Sequence, residues 1–436
     1  MLTHPPLQIG LAGFGNVGAG VYKNLFKNRE LLRERTGRDL QVRKIVVRDP
    51  SKVRDVPLPA DLVSTDLDDL INDPEIEIVV ELIGGTERAF ELVKSALLQK
   101  KIVVTGNKAL LAEHGRELFA LAEQQKTPIY FEAAVAGGIP IIKTVQESLI
   151  GNHIESVTGI INGTCNYILT RMAEGGLGYE EALGEAKDLG YAEADPTLDI
   201  NGWDAAHKAI ILASLSYGCW LPADEIFVEG IEKVRRKDTQ FADKLGYTVK
   251  LLAVIQLHTD SGAIEVRVQP SLISKDQILA SVKGVYNAIL VCGDVVGETL
   301  FYGSGAGQDP TSSSVISDLA DAASRRGQLE TGNGRTGFVP HGLYGRPMPV
   351  EDTISKYYLR VEADDRPGVL AQIATLLGKQ EIGILSVIQP EDHDEEVAPI
   401  VLMLHYAPFG VVRDTIAKIG ALDCIREEPV WMRVEG

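Results

Sequence analysis

The sequence predicts an α/β protein in three parts: a doubly wound parallel sheet over 1–135, an α+β domain over 136–328, and, after a linker over 329–354, a ferredoxin-like module over 355–436. Three observations predict it. A short apolar run enters a glycine-rich turn and then a helical stretch; strand-like and amphipathic segments alternate after it; and the last part of the chain reads β-α-β-β-α-β.

The first strand, Leu7–Ala12, leads into Gly13-Phe14-Gly15-Asn16-Val17-Gly18 and a helical pattern over 19–35. This is G-x-G-x-x-G between a strand and a helix, the arrangement of a Rossmann-type nucleotide domain. Gly13 permits the tight turn, Gly15 lets the backbone approach a pyrophosphate, Gly18 allows close helix–strand packing, and the helix N-terminus offers N–H groups to phosphate. A second strand over 41–47 ends at Arg48-Asp49, where the adenosine ribose would lie. An acid there favours NAD and a base favours the 2′-phosphate of NADP; the pair leans towards NADP and leaves NAD open. Strands over 76–82, 102–105 and 128–132 alternate with helical patterns over 87–99 and 111–125. Thr105-Gly106-Asn107-Lys108 follows one strand at the carboxyl edge where ligands bind in such sheets, so Lys108 either contacts a ligand or begins the next helix in solvent.

Glu132-Ala-Ala-Val135-Ala-Gly137-Gly138-Ile139-Pro140 combines one carboxylate with accessible main-chain carbonyls, which suits a hard cation or only a tight turn. After a strand over 156–161, Asn162, Thr164 and Asn166 can hydrogen-bond a ligand or cap a helix. The stretch from Ala186 to Lys208 is chemically the densest. Gly190, Glu193 and Asp199 lie on turn-rich chain, while Asp204 and Lys208 are four apart on one face of a helix that continues through 209–215. Carboxylates around one amine can hold a substrate ammonium and set the lysine's proton affinity; the bland alternative is a solvated helix start enriched in acids. Strands over 249–268 and 288–296 and helices over 210–215 and 238–245 fill out the domain. Tyr302-Gly-Ser-Gly305-Ala-Gly307 is a second glycine-rich turn, followed by a helix over 313–326.

The linker is rich in Gly and Pro. Beyond it, a strand over 357–363, Asp365-Arg-Pro-Gly368 as a helix start, and a helix carrying Val369, Ile373, Leu376 and Leu377 on one side begin the final module. Strands over 382–388 and 400–405, a helix over 411–419 and a strand over 430–434 complete it.

With 436 residues, 45% hydrophobic and 24% charged, the chain has ordinary multidomain composition. A net charge of −18, with its acidic run over 391–396, argues against nucleic acid or an anionic membrane as partner. Four dispersed cysteines carry no C-x-x-C spacing and fit a reducing compartment. The start, MLTHPPL, lacks a signal-peptide pattern and no apolar run reaches membrane-spanning length, so a cytoplasmic location is expected.

Ala-x3-Gly-Tyr-Ala-x2-Asp-Pro-x2-Asp-Ile-x-Gly-x-Asp-x3-Lys, from Ala186 to Lys208, resembles the signature of homoserine dehydrogenases at every position. The stretch from Ile161 to Leu169, INGTCNYIL, is similar to the family's substrate cleft, and the DRPGVLAQIA stretch from Asp365 resembles an ACT domain. The order of parts, with no kinase segment ahead of them, resembles the monofunctional form. The resemblance implies NAD(P)H-dependent reversible reduction of L-aspartate 4-semialdehyde to L-homoserine, in threonine, methionine and isoleucine synthesis. It implies Lys208 as proton donor with Lys108 as rival, and Gly190, Glu193, Asp199 and Asp204 as substrate contacts. Lys108 and Gly305 lie by the nicotinamide in this reading, and 303–328 returns to the nucleotide domain; Gly106 stands where Ala is common. A monovalent cation, sodium by family habit, falls to Glu132 and the carbonyls of Val135, Gly137 and Ile139. The middle domain is expected to bind substrate and to dimerise, giving a homodimer or homotetramer. The ACT module is expected to sense an amino acid, threonine first, around Asp365, Gly368, Val369 and Leu370, or to serve only as a dimerisation module. A different amino-acid-linked dehydrogenase and a non-enzymatic nucleotide-and-amino-acid sensor are the competing readings.

Overall fold

The computed structural model describes residues 5–54, 56–57, 59–330, 337–390 and 396–436. The first four residues, 331–336 of the linker and 391–395 of the acidic run therefore lie outside the described residues. The chain divides into two compact units: one formed by 1–154, 207–223 and 291–344, the other by 155–206, 224–290 and 345–436.

The first unit is built on a parallel sheet of β1 (Leu7–Ala12), β2 (Leu40–Val46), β3 (Val63–Ser64), β4 (Ile78–Glu81), β5 (Ile102–Thr105) and β6 (Ile129–Tyr130). Their order is β3-β2-β1-β4-β5-β6. β4 and β5 are buried at every position, the near-continuous apolar pattern of strands covered by helices on both faces. The order reverses at β1, which pairs with β2 on one side and β4 on the other, so the ligand crevice of such a sheet opens at the carboxyl ends of β1 and β4. The helix expected over 19–35 is two helices, Asn16–Lys27 and Arg29–Thr36, separated at Asn28. The long helix Gln308–Glu330 packs along Asn16–Lys27. Asn24 Nδ2 donates to Asp309 Oδ1 and Ser312 Oγ, each at 3.0 Å, and Val315, Leu319 and Ala322 join Leu7, Ile9 and Leu11 in one core. Phe338, within the glycine- and proline-rich stretch, packs against Phe119 and, edge to face, Trp220, with ring centroids 5.7 and 5.3 Å away.

The second unit carries a mixed sheet. Its strands are β7 (Ile154–Ile160), β8 (Phe227–Val228), β9 (Tyr247–His258), β10 (Ala263–Ser274), β11 (Tyr286–Gly293), from which the chain continues to β12 (Gly297–Ser304), β13 (Ile354–Asp364), β14 (Ile384–Ile388), β15 (Val397–Pro408) and β16 (Val430–Glu435). From β11 inward the order is β11-β7-β9-β10-β16-β13-β15-β14, with β8 beside β10. The strands expected over 249–268 are the antiparallel pair β9 and β10, in register from Tyr247↔Ser274 to His258↔Ala263. The segment from β13 to β16 follows strand, helix Val369–Lys379, strand, strand, helix Phe409–Gly420, strand, over a core that includes Leu359, Ile373, Leu402 and Ile416. β16 pairs in parallel with β10, at Ser271↔Arg433 to Ile273↔Glu435, which makes this segment part of the same sheet.

A buried ionic group pins the helix Arg236–Lys244 to β13. Arg360 Nε lies 2.7 Å from Asp238 Oδ1 and its Nη1 2.7 Å from Glu362 Oε1, while the Tyr358 hydroxyl donates to Asp238 Oδ1 at 3.0 Å. Asp238 is fully buried and Arg360 nearly so. Removing one partner of such a pair leaves a charge stranded in low dielectric. Asp238→Ala is therefore expected to destabilise the fold by about 3–5 kcal/mol, read from denaturant unfolding; a loss below about 1 kcal/mol would show that the cluster contributes only as a surface pair does.

Candidate active site

The crevice predicted by the sheet order is present. At the carboxyl ends of β1, β2 and β4 lies a cavity of about 640 Å³, lined by Gly13, Phe14, Gly15, Asn16 and Arg48 and also by Asp49, Lys52, Arg54 and Arg88. Gly13 has φ +99°, and a Cβ on it would come within 2.4 Å of the Leu82 carbonyl oxygen; a Cβ on Gly18 would come within 2.2 Å of the Gly13 carbonyl oxygen. A Cβ on Gly15 would meet nothing within 4 Å. The first two glycines are thus required by the turn itself, while the third borders open space at the N-cap of Asn16–Lys27, where a pyrophosphate would face the helix N-terminus. Val17 packs against the core instead, and Lys108 and Gly305 lie outside this cavity's lining.

At the ribose end the acid and the bases differ in availability. Asp49 accepts from the Ser51 amide at 2.8 Å and the Ser51 hydroxyl at 2.6 Å, and these bonds hold its carboxyl below the usual range. Arg54 donates to the carbonyls of Phe14, Lys52 and Asp49, which ties the 49–54 loop over the glycine turn. Arg48 and Lys52 are exposed at the rim. Lys52, Arg54 and Arg88 were absent from the sequence expectations; the basic run RDPSKVR after β2 was the signal for two of them.

Lys108 opens the helix Lys108–Gln125 directly after β5. Asn107 caps it by accepting from the Leu110 amide at 3.0 Å and donates to the Gly85 carbonyl at 2.7 Å. Below it, Glu81 at the end of β4 is fully buried, accepting from the Thr105 hydroxyl at 2.6 Å and the Ile83 amide at 2.9 Å; burial raises its pKa above the carboxylate range against these bonds. This supporting carboxyl was not foreseen, and an acid closing an apolar strand was the available sign.

Glu132 is buried, and its carboxylate accepts the amides of Ile142 and Lys143, both at 2.9 Å. Its own amide donates to Asp318 Oδ2 at 2.8 Å. Lys143 Nζ lies 3.4 Å from Asp318 and 2.8 Å from Asp321. Burial pushes the Asp318 carboxyl up to about 8. The Gly137 carbonyl accepts from the Ser314 hydroxyl at 2.6 Å, and the Ile139 carbonyl accepts the Ile141 amide at 2.8 Å. The Gly138 amide donates to the Ser304 carbonyl at 3.0 Å, and a Cβ on Gly137 would come within 2.6 Å of the Gly305 oxygen, so the second glycine turn lies against this loop. Among the described residues no group of three or more His, Cys, Asp or Glu side chains is arranged to hold a metal.

In the second unit the signature segment as far as Ala206 is organised around the Asn162 amide. Asn162, N-cap of the helix Gly163–Glu174, accepts the Cys165 amide at 2.7 Å through Oδ1. Its Nδ2 donates to Asp199 Oδ1 at 2.7 Å and to Asp204 Oδ2 at 2.8 Å. Thr164 adds a hydroxyl 3.3 Å from Asp199 Oδ2 and 2.8 Å from the Tyr191 carbonyl oxygen. Gly190, at φ +72°, ends the preceding helix so that Tyr191 and Ala192 turn back and donate to the Ala186 carbonyl. Asp199, Asp204, Asn162 and Thr164 are thus brought together, while Glu193 is exposed. Asn166 points elsewhere, donating to the Tyr286 carbonyl and accepting from Lys250 Nζ at 2.9 Å. Asp204 and Lys208 lie one turn apart on the helix Trp203–Tyr217, and both are 8% exposed.

Comparison with known proteins identifies the family. Family models described as "Homoserine dehydrogenase, NAD binding domain" and "Homoserine dehydrogenase" match residues 13–132 and 140–320. The homoserine dehydrogenase of Pseudomonas aeruginosa is 45% identical over 99% of both chains, and that of Neisseria gonorrhoeae 43% over the same shares. A crystal structure of a homoserine dehydrogenase from Thiobacillus denitrificans superposes with TM-score 0.92 at 42% identity, over 99% of this chain and 98% of that one. A hyperthermophilic archaeal homoserine dehydrogenase in complex with NADPH superposes with TM-score 0.61 at 29% identity, over 73% of this chain and 97% of its own. The chain belongs to the homoserine dehydrogenase family, NAD(P)-dependent oxidoreductases acting on a CH–OH group.

Proposed function

We propose that the chain interconverts L-aspartate 4-semialdehyde and L-homoserine, with Asp199 and Asp204 binding the substrate and Lys208 moving the proton. The observation that carries the reading is the pair of carboxylates brought together on the Asn162 amide, of which Asp204 lies one helical turn before Lys208. Neighbouring carboxylates favour an incoming ammonium, which both substrates carry. A bound nicotinamide supplies or removes the hydride. Reduction leaves an alkoxide at the carbonyl oxygen, and Lys208 is the general acid that protonates it and the base in reverse. Lys108 is the second ammonium group of this reading, at the cofactor side, and Gly190 and Glu193 border the substrate. Gly305, beside the 137–138 turn, would lie by the nicotinamide.

For the cofactor, NADP is the form we favour. With the Asp49 carboxylate held by Ser51, Arg48 and Lys52 are the groups left to meet a 2′-phosphate. A monovalent cation, sodium in our reading, would rest on Glu132 and the carbonyls of Val135, Gly137 and Ile139. What supports it is charge: Asp318 and Asp321 share the ammonium of Lys143, while the buried Glu132 carboxylate beside them rests on the Ile142 and Lys143 amides. The existing bonds to the Gly137 and Ile139 carbonyls leave each a further lone pair. The segment over 355–436 is read as an ACT domain with threonine as effector near Asp365, Gly368, Val369 and Leu370. We take the boundaries expected from sequence, a homo-oligomeric state, a place in threonine, methionine and isoleucine synthesis and a cytoplasmic location as parts of the same reading. No described helix is long and apolar enough to cross a membrane.

Lys208→Met is expected to lower kcat with aspartate semialdehyde by about 10²–10⁴-fold while changing the NADPH dissociation constant less than about twofold. Near-normal turnover in the variant would remove Lys208 from the mechanism. Arg48→Ala is expected to weaken NADPH by about tenfold or more and leave NADH almost unchanged, measured by equilibrium titration of each; equal losses for both would mean that Arg48 does not meet the 2′-phosphate. Replacing sodium with choline is expected to lower the thermal midpoint of the wild type but not that of Glu132→Gln, and an identical shift in both would place the cation elsewhere.

A further inference from the structure

A cavity of about 200 Å³ lies within the second unit, between the 229–235 loop and strands β10, β13 and β16. Its size is below that of drug-binding clefts and suits a small metabolite. Its lining carries both signs, with Glu229, Glu427 and Glu428 beside Lys233, Arg235 and Arg360. Glu229, half-buried, lines it, and no hydrogen bond reaches its carboxylate among the described residues; burial lifts that carboxyl above its usual range, with Lys233 acting in the opposite sense. The cations Lys233 and Arg235 are exposed at the mouth, Lys233 3.1 Å from Glu428 at the rim. Arg360 also borders the cavity, but Asp238 and Glu362 already occupy its guanidinium. Pro270 and the half-buried Trp431, whose ring lies 5.2 Å from that of Phe409, form an apolar wall.

We propose that this cavity is a binding site for a small α-amino acid, its ammonium on Glu229, its carboxylate towards Lys233 and Arg235 and its side chain against Trp431. A half-buried carboxylate with cations at the opening offers a partner to each end of a zwitterion, and neither an amine nor an acid alone meets both. The site is separate from the Asp365–Leu370 segment.

The position gives the ligand a route to the substrate carboxylates. The Ile231 amide donates to the Ile200 carbonyl at 2.8 Å, and a Cβ on Gly230 would come within 2.1 Å of the same oxygen. Residues 229–231 are therefore pressed against the end of the short helix Thr197–Ile200 that carries Asp199. A ligand that shifts Glu229 shifts this contact, so its occupancy is expected to change KM for homoserine more than the affinity for cofactor.

The test is a fluorescence titration of the full-length protein with L-threonine, L-methionine and L-lysine, and with n-butylamine and acetate as half-ligands. At least one amino acid should give a saturable change that is missing in Trp431→Phe and weakened by about tenfold or more in Glu229→Gln. It should persist in Asp365→Asn, and the half-ligands should bind more weakly than the amino acid. Circular dichroism establishes folding of each variant; should Glu229→Gln fail to fold, Lys233→Met at the mouth is expected to weaken the same response. The proposal is overturned by absence of any Trp431 response to the three amino acids, by a response that survives Glu229→Gln, or by one that only Asp365→Asn removes. None of these readouts uses turnover, so their failure leaves the assignment of the reaction untouched.

Discussion

Two carboxylates meet on one amide nitrogen, and the candidate substrate site depends on that contact. Asp199 and Asp204 would separate if left to their charges, yet Asn162 Nδ2 lies within 2.8 Å of both. The same side chain caps the helix Gly163–Glu174 through its oxygen. Helix initiation and carboxylate placement are thus one event, set by a residue that has a donor at one end of its side chain and an acceptor at the other. Aspartate would cap the helix equally well but would add a third negative charge; serine would cap it but could not reach two acceptors with separate hydrogens. An amide brings the two carboxylates together without adding charge of its own, so the site keeps its negative character.

Much of this was legible in the chain because it was written in local terms. The glycine turn after β1 depends on contacts within a few residues and on the adjacent strand, and the spacing of Gly13, Gly15 and Gly18 reports those contacts directly. The periodicity of Asp204 and Lys208 follows from helix geometry alone. Other features depend on partners distant in sequence. Asp318 hydrogen-bonds the Glu132 amide 186 positions away, and nothing around either residue announces the other. The bonds from Ser51 to one oxygen of Asp49 depend on a loop conformation that a two-residue motif cannot convey. Asn162, Thr164 and Asn166 look equivalent in INGTCNYIL, yet the helix they begin turns Asn166 towards Lys250 and Tyr286. The break at Asn28 was hidden because both helices are amphipathic and no proline or glycine marks the joint.

Buried charge recurs across both units with opposite settings. Arg360 has two carboxylates around it, Asp238 and Glu362, with a tyrosine hydroxyl completing the group. Lys143 likewise has Asp318 and Asp321, with Glu132 close by, but there burial leaves the Asp318 carboxyl near 8. The first group has a guanidinium with five N–H donors to distribute over its acceptors, and the second has a compact ammonium with three. Arg360 thus meets both of its carboxylates with separate N–H groups, whereas Lys143 divides one ammonium between Asp318 and Asp321.

The three glycines of the first turn answer to different judges. Gly13 and Gly18 are held by the chain itself, since a methyl group at either would press on a carbonyl oxygen at 2.4 or 2.2 Å. Gly15 borders empty space, and the fold alone gives no reason to refuse alanine there. Over evolutionary time, descendants released from nucleotide binding would be free to drift at Gly15 while Gly13 and Gly18 stayed fixed by folding. The middle glycine is thereby a record of ligand use, and its loss in a relative that kept the other two would mark a scaffold that had outlived its cofactor.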